Sequence, residues 1–371
     1  MKKTFILSLV TLTFLSATQP QNSAEIMKDA LAQMEAIANQ VIDVNKSIVK
    51  KIPVTPLDIN SSVSDFTLGK YGTFKFEKMN DNVYVMHGPV VGPNKENRGF
   101  MNNPAIVESK NGLIIVDPGG NYNVGKKILA EVEKISKKPI IAVFNTHKHG
   151  DHWFANKAIT EKYPNVNIYA HPNMIKVSKE GEAEIWYGIL SRGTGNLEGT
   201  KEFAYPTKAL NHLDEIEIDG QIFSVGHPDV AHTNTDLIIF HKNSKTLFLG
   251  DNLMKGRLGS FDESSSVFGN IELLEKIKSD TNLTLYVPGH GFSGTKNETI
   301  DPFLSYLNVL AIEGQKAYDD DLESYEVKEE VKKKLSWMTE WDAFEKNMPS
   351  HLNKIMIEMG ERELNSEDAE E

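Results

Sequence analysis

Short apolar runs with period two, or with no polar break, alternate along most of this chain with longer stretches whose apolar residues recur at three and four. The first of the longer stretches, 23–51, places Ile26, Ala30, Met34, Ile37, Val41 and Val44 on one helical face. Ser23 is positioned to cap it, and Pro53 and Pro56 end it before a polar stretch to about 64. Strand-like runs follow at 71–77, 83–87, 105–109 and 113–116, with Asn111-Gly112 as a hairpin signal between the last two. A helix is expected over 124–135, a buried strand over 139–144, a helix over 153–163 and a strand over 166–170. The segment 175–206, with Gly188, Gly193, Gly195 and Gly199, reads as a long, poorly periodic insertion. Further strands are expected at 215–218, 221–225, 236–241, 246–249 and 283–287, with a helix over 271–279. From Pro302 the chain turns helical, and 325–338 carries enough apolar residues to pack.

Strands and helices therefore alternate in two blocks, roughly 70–210 and 211–310, each reading as a sheet covered by helices on one face. Packing two such halves sheet to sheet buries both apolar faces, which makes the fold class α/β. The expected organisation is a signal peptide at 1–20, an N-terminal helical extension at 21–64, the main domain at 65–315 and a C-terminal helical tail at 316–371. The signal is read from Lys2 and Lys3, the apolar run from Phe5 to Leu15, and the small residues Ser16 and Ala17. That run is too short to span a bilayer as a stable helix, so a periplasmic or secreted protein without a stable membrane span is expected.

Composition removes several alternatives. The net charge of -12 over 371 residues argues against a nucleic-acid groove and against anionic lipid surfaces. There is no cysteine, so disulfides, thiolate zinc sites and a cysteine nucleophile are excluded. Any metal site must be built from histidine and carboxylates.

One stretch supplies them densely. In Thr146-His147-Lys148-His149-Gly150-Asp151-His152, four potential metal ligands fall directly after a buried strand. An extended backbone points His147 and His149 to one side, and Asp151 and His152 follow where the chain bends into a helix. Imidazole and carboxylate suit zinc, with iron or manganese as further possibilities. Downstream, His232 precedes a strand, Asp251 ends one in Leu249-Gly250-Asp251, and His290 lies in the turn Pro288-Gly289-His290-Gly291. Taken together these are seven ligands, enough for two metal ions.

The ordered set of HxHxDH, HTxxD, a GD strand end and PGHG resembles the metallo-β-lactamase superfamily over about residues 70–310. The resemblance implies a four-layer αββα sandwich with the metals at one edge, between the sheets. It also implies that His147, His149 and His232 hold a first metal, that Asp151, His152 and His290 hold a second, and that Asp251 bridges them. Asp117, which ends an early strand, matches a residue that orients a ligand from behind. Histidine at 149 favours zinc over a di-iron flavoprotein site. Aspartate rather than cysteine at 251 is typical of glyoxalase II, lactonases, alkylsulfatases and many generic hydrolases.

That likeness implies a metal-dependent hydrolase with two Zn2+ ions and a small-molecule substrate. A hydroxide shared by the ions would attack an acyl carbon (amide, ester, lactone or thioester) with Asp151 steering it. A β-lactamase specifically and a mononuclear iron persulfide dioxygenase are the alternative readings, together with a binding module carrying a vestigial site. Trp186, Tyr187 and Phe261 lie in segments able to wall a pocket, and His227 in the loop to His232 is a weaker candidate. His171 reads as structural, and His87, His212, His241 and His351 have no ligand types around them.

Overall fold

A computed structural model of the chain describes residues 74–368, Asn196 excepted. The expected signal and the helix candidate at 23–51 lie outside the described residues, as do positions 71–73 of the strand expected at 71–77, of which only residue 77 is in a strand.

The first block builds a seven-stranded sheet from β1 (Glu77–Lys78), β2 (Val83–Val85), β3 (Ala105–Glu108), β4 (Leu113–Val116), β5 (Ile140–Phe144), β6 (Asn167–Ala170) and β7 (Lys208–Ala209), in that order. β1 to β4 are antiparallel, and β4 to β7 run parallel. The second block builds a five-stranded sheet from β8 (Glu215–Ile218), β9 (Gln221–Gly226), β10 (Ile238–His241), β11 (Thr246–Phe248) and β12 (Leu285–Val287), in the order β12-β11-β10-β9-β8.

Strand alternation sorts the core into layers. Ala105, Val107, Ile114 and Val116 turn inward and meet Phe223, Val225, Ile239, Phe248 and Val287 of the other sheet. Ile106, Leu113 and Ile115 turn outward, onto α1 (Tyr122–Ile135) and α3 (Asn156–Lys162), which contribute Val124, Ile128, Val132, Ala158 and Ile159. On the far face, Leu247 and Tyr286 pack with α6 (Val267–Ser279) and α7 (Lys296–Asp319). The architecture is the expected αββα sandwich. The C-terminal helices α8 (Ser324–Lys334) and α9 (Phe344–Asp368) extend that outer layer, with Val331, Leu352 and Ile355 in the same core.

Three local expectations are corrected. The helix expected over 153–163 is two: α2 (Gly150–Trp153) and α3, because the Ala155 amide leaves the helix to donate to Gly119 O at 2.8 Å. The outer-layer helix expected from Pro302 starts at Lys296, where Thr295 and Glu298 form a capping box. The insertion at 175–206 is largely helical, with α4 (Pro172–Val177), a π turn (Ser178–Glu182) and α5 (Ala183–Thr194). Its period is hard to read because the buried face of α5 is only Ala183, Leu190 and Thr194.

Candidate metal centre

Four strand ends and one loop deliver the ligand-type side chains to a single edge. β4 and β5 are parallel neighbours, so Asp117 and Thr146 emerge side by side. Asp117 has φ 49°, a left-handed backbone that turns its carboxylate back under the next loop. There it accepts from the Thr146 amide at 2.8 Å and the Thr146 hydroxyl at 2.6 Å. The loop is pinned again by Trp153 Nε1, which donates to Lys148 O at 3.0 Å, and by the Lys148 amide on Thr235 Oγ1 at 3.1 Å. His149 keeps extended backbone (φ -68°, ψ 130°) just before α2, so His147 and His149 project together while Asp151 and His152 ride the helix start.

β11 and β12 are likewise parallel and place Asp251 and His290 next to each other. Gly289 donates to Gly250 O at 2.7 Å, and a Cβ on Gly289 would overlap Asp251 Oδ1, so only glycine allows this approach. Asn103 Nδ2 clamps the turn on Pro288 O and Gly291 O, at 2.9 and 2.6 Å. His232 is held by its amide on Asn252 Oδ1 at 3.1 Å and by Ser265 Oγ on its carbonyl at 2.6 Å.

The result is two adjoining groups of buried donors: His147, His149, His232 and Asp251 in one, and Asp151, His152 and His290 in the other. Asp251 stands between them. Its Oδ2 lies 3.7 Å from His232 Nε2 and 3.2 Å from His290 Nε2, and its Oδ1 lies 3.2 Å from His152 Nε2. Asp151 Oδ2 is 3.3 Å from His290 Nε2, and His149 Nδ1 is 3.1 Å from His232 Nε2.

The donor set fits divalent cations. His147 Nε2, His152 Nε2, His290 Nε2, Asp151 Oδ2 and Asp251 Oδ1 are all buried with no hydrogen-bond partner. Five such atoms converging on one spot would be costly in a folded protein unless something charged satisfied them. The opposite ring nitrogens are fixed. His152 Nδ1 donates to Asp117 Oδ2 at 2.8 Å, His290 Nδ1 to Met101 O at 2.7 Å, and His147 Nδ1 to Thr146 Oγ1 at 3.0 Å. Each leaves the Nε2 lone pair aimed inward, as metal-ligating histidines require.

Electrostatics agree. Burial pushes His147 well below its ordinary value, helped by His152, and pushes His232 down to about 3. Both rings are therefore neutral donors at physiological pH. Burial works to raise Asp151, yet His152 and His290 hold it down at about 2. Burial would lower His152, but Asp251, Asp151 and Asp117 raise it well above its usual value. A field that draws a proton to His152 Nε2 draws a metal cation to the same place.

Among the aromatic candidates, Trp186 packs on the His149 ring at 4.3 Å, and Phe261 lies 6.2 Å from His232. Tyr187 turns away toward Phe203. His227 stacks on His171 at 3.7 Å and donates to Asp236 O, away from the ligand set. His87, His241 and His351 are buried hydrogen-bonded rings elsewhere. Two further residues gain a role only in the fold. Lys148 sends its Nζ to Glu182 at 3.2 Å and Asp262 at 3.4 Å, and a lysine inside a ligand motif was the available signal. Asp236 accepts from the Thr233 amide and hydroxyl and is raised by burial to about 7.

Residues 97–290, just over half of the chain, match the family model described as the metallo-beta-lactamase superfamily. A probable metallo-hydrolase of Methanocaldococcus jannaschii is 28% identical over 207 residues, 53% of this chain and 91% of that protein. A hydroxyacylglutathione hydrolase of Nostoc punctiforme is 29% identical over 177 residues, 46% of this chain and 56% of its own length. A linear primary-alkylsulfatase of a Pseudomonas species is 42% identical over 74 residues, 19% of this chain and 14% of that enzyme. Among solved structures, a metallo-beta-lactamase from Pontibacter korlensis superposes with a TM-score of 0.50 at 16% identity, covering 63% of this chain and 98% of its own, a likeness of fold.

Proposed function

The chain belongs to the metallo-beta-lactamase superfamily, and from that premise we propose that it is an exported hydrolase that holds two zinc ions and cleaves an acyl bond in a small molecule. Its standing as a metal-dependent hydrolase follows from the family and its metallo-hydrolase relatives. The observation that carries the finer reading is the Asp251 carboxylate, shared between the two donor groups: its Oδ2 lies near both His232 and His290, and its Oδ1 near His152. In this reading His147, His149 and His232 would hold the first ion and Asp151, His152 and His290 the second, with Asp251 available to both. Zinc in such a site supplies Lewis acidity and lowers the pKa of water to roughly 7.

The chain's own groups do the rest. Asp151, held ionised by His152 and His290, accepts a hydrogen bond from the attacking water and orients it. Asp117 keeps His152 in the tautomer that leaves Nε2 free. Trp186 and Phe261 wall the approach past His149 and His232 and exclude bulk water. Acyl substrates are favoured by the resemblance to a hydroxyacylglutathione hydrolase. A sulfate ester is the second reading, favoured by the 42% identical stretch shared with the alkylsulfatase. Export is proposed from Lys2, Lys3 and the apolar run after them.

The test is elemental analysis of the purified full chain, followed by turnover of β-lactams, lactones, thioesters and sulfate esters. Two zinc ions per chain and hydrolysis of an acyl member are expected. A single iron with oxygen uptake on a persulfide would replace this reading with a dioxygenase, and failure to bind any divalent metal would leave a vestigial site.

A further inference from the structure

We propose that the outward flank of α5 receives an apolar portion of the substrate, an alkyl or aryl group carried beside the scissile bond. This rests on the reading of the metal centre as catalytic. Ala183, Leu190 and Thr194 point α5 into the body of the protein, against Trp153, Phe154 and Met174. At 100° per residue, Trp186, Ile189 and Gly193 then share one flank, with Ile185 beside them. At one end of that flank Trp186 covers the His149 ring at 4.3 Å. At its other end Gly193 lies so close to the 92–98 loop that a Cβ there would stand 2.6 Å from Pro93 O. The flank thus runs outward from a ligand of the first donor group and is continuous with it.

Along it Ile185 is 59% exposed and Ile189 36% exposed, two of the few large apolar side chains left in water among the described residues. Exposed isoleucines one turn apart, next to a tryptophan that touches a metal-site histidine, match an apolar binding surface better than solvated helix. Of the nearby charges, the exposed Arg192 stands three residues beyond Ile189, at the end of α5 away from Trp186. Lys148 is already engaged by Glu182 and Asp262, so it presents no free cation to an anionic group. The substrate class indicated is an amphiphile whose reactive head meets the donor groups while its apolar part lies on Ile185, Trp186 and Ile189.

Equilibrium binding to the zinc-loaded full chain tests this without requiring turnover. The probes are aliphatic hydroxamates from acetohydroxamate to octanohydroxamate, titrated calorimetrically. Affinity should climb by roughly two- to fourfold per added methylene. In the double variant Ile185→Ser with Ile189→Ser, both at exposed positions, the climb should flatten while acetohydroxamate affinity stays unchanged. A flat series in the wild type, or an unchanged slope in the variant, would overturn the proposal. Sedimentation that shows a wild-type dimer lost in the variant, with the slope kept, would assign the flank to a second copy instead. If acetohydroxamate fails to bind at all, the reading of the metal centre fails, and the proposal falls with it by a different result.

Discussion

Asp117 accepts the Nδ1 proton of His152 at 2.8 Å and, with the same carboxylate, the amide and hydroxyl of Thr146. Thr146 in turn accepts from His147 Nδ1 at 3.0 Å, so one buried carboxylate orients a ligand in each donor group. Asp117→Asn keeps the shape but offers an amide where an acceptor is needed, which favours the wrong tautomer of His152. Metal affinity should fall about 10–100-fold with the fold retained. Competition against a chromogenic chelator, with circular dichroism as the control, measures it; unchanged affinity would remove Asp117 from the site.

Asp151 is the side chain proposed to meet the reacting water. Asp151→Ala should lower kcat by about 10²–10⁴-fold, with measured metal content separating lost chemistry from lost cation. Near-native turnover by a folded, metal-loaded variant would show that the carboxylate has no part in the reaction.

Gly289 carries a steric prediction. A methyl group there would overlap Asp251 Oδ1 and crowd the Gly250 backbone at 2.8 Å. Gly289→Ala should therefore displace the carboxylate common to both donor groups. Zinc stoichiometry should drop below that of the wild type while the sheets, read by circular dichroism, persist. Full zinc loading in Gly289→Ala would mean that Asp251 is not a required ligand.

Much of the candidate site was legible because most of its donor side chains come straight after strand ends. His147 to His152 sit directly after β5, and Asp251 and His290 directly after β11 and β12, so a local pattern of apolar run and polar turn marks each one. The strands of the sandwich were legible because runs such as Leu113-Ile114-Ile115-Val116 are unbroken and apolar, as a strand buried on both faces must be. The roof was not. α5 turns only an alanine, a leucine and a threonine inward while Ile185 and Ile189 stay exposed on another flank, so its apolar residues mark no buried stripe, and its glycines resemble those of a loop. The reach of Lys148 to Glu182 and Asp262 spans 34 and 114 positions, which no local pattern encodes. His351 was set aside because no ligand types surround it in sequence. In the fold its Nδ1 accepts from Tyr306 at 2.7 Å and its Nε2 donates to Gly259 O at 2.8 Å.

That buried histidine predicts how stability responds to acid. Burial lowers His351 from 6.5 to about 4, with the bond to Gly259 O opposing the shift. The folded state thus prefers the neutral ring, whereas the unfolded chain takes up a proton near 6.5. The unfolded state binds more protons between these values. Stability from this group is therefore present above about 6.5 and is lost as pH falls toward about 4, by an amount on the order of 3 kcal/mol. The loss should loosen α9 from the 257–262 loop, since His351 joins the two. Urea denaturation of zinc-free protein at pH 7.0 and pH 4.5, wild type against His351→Gln, separates the effect of this ring from that of the candidate metal donors. The variant should be less stable at pH 7 but lose less on acidification. Parallel pH profiles for the two proteins would show that His351 titrates alike in the folded and unfolded chains.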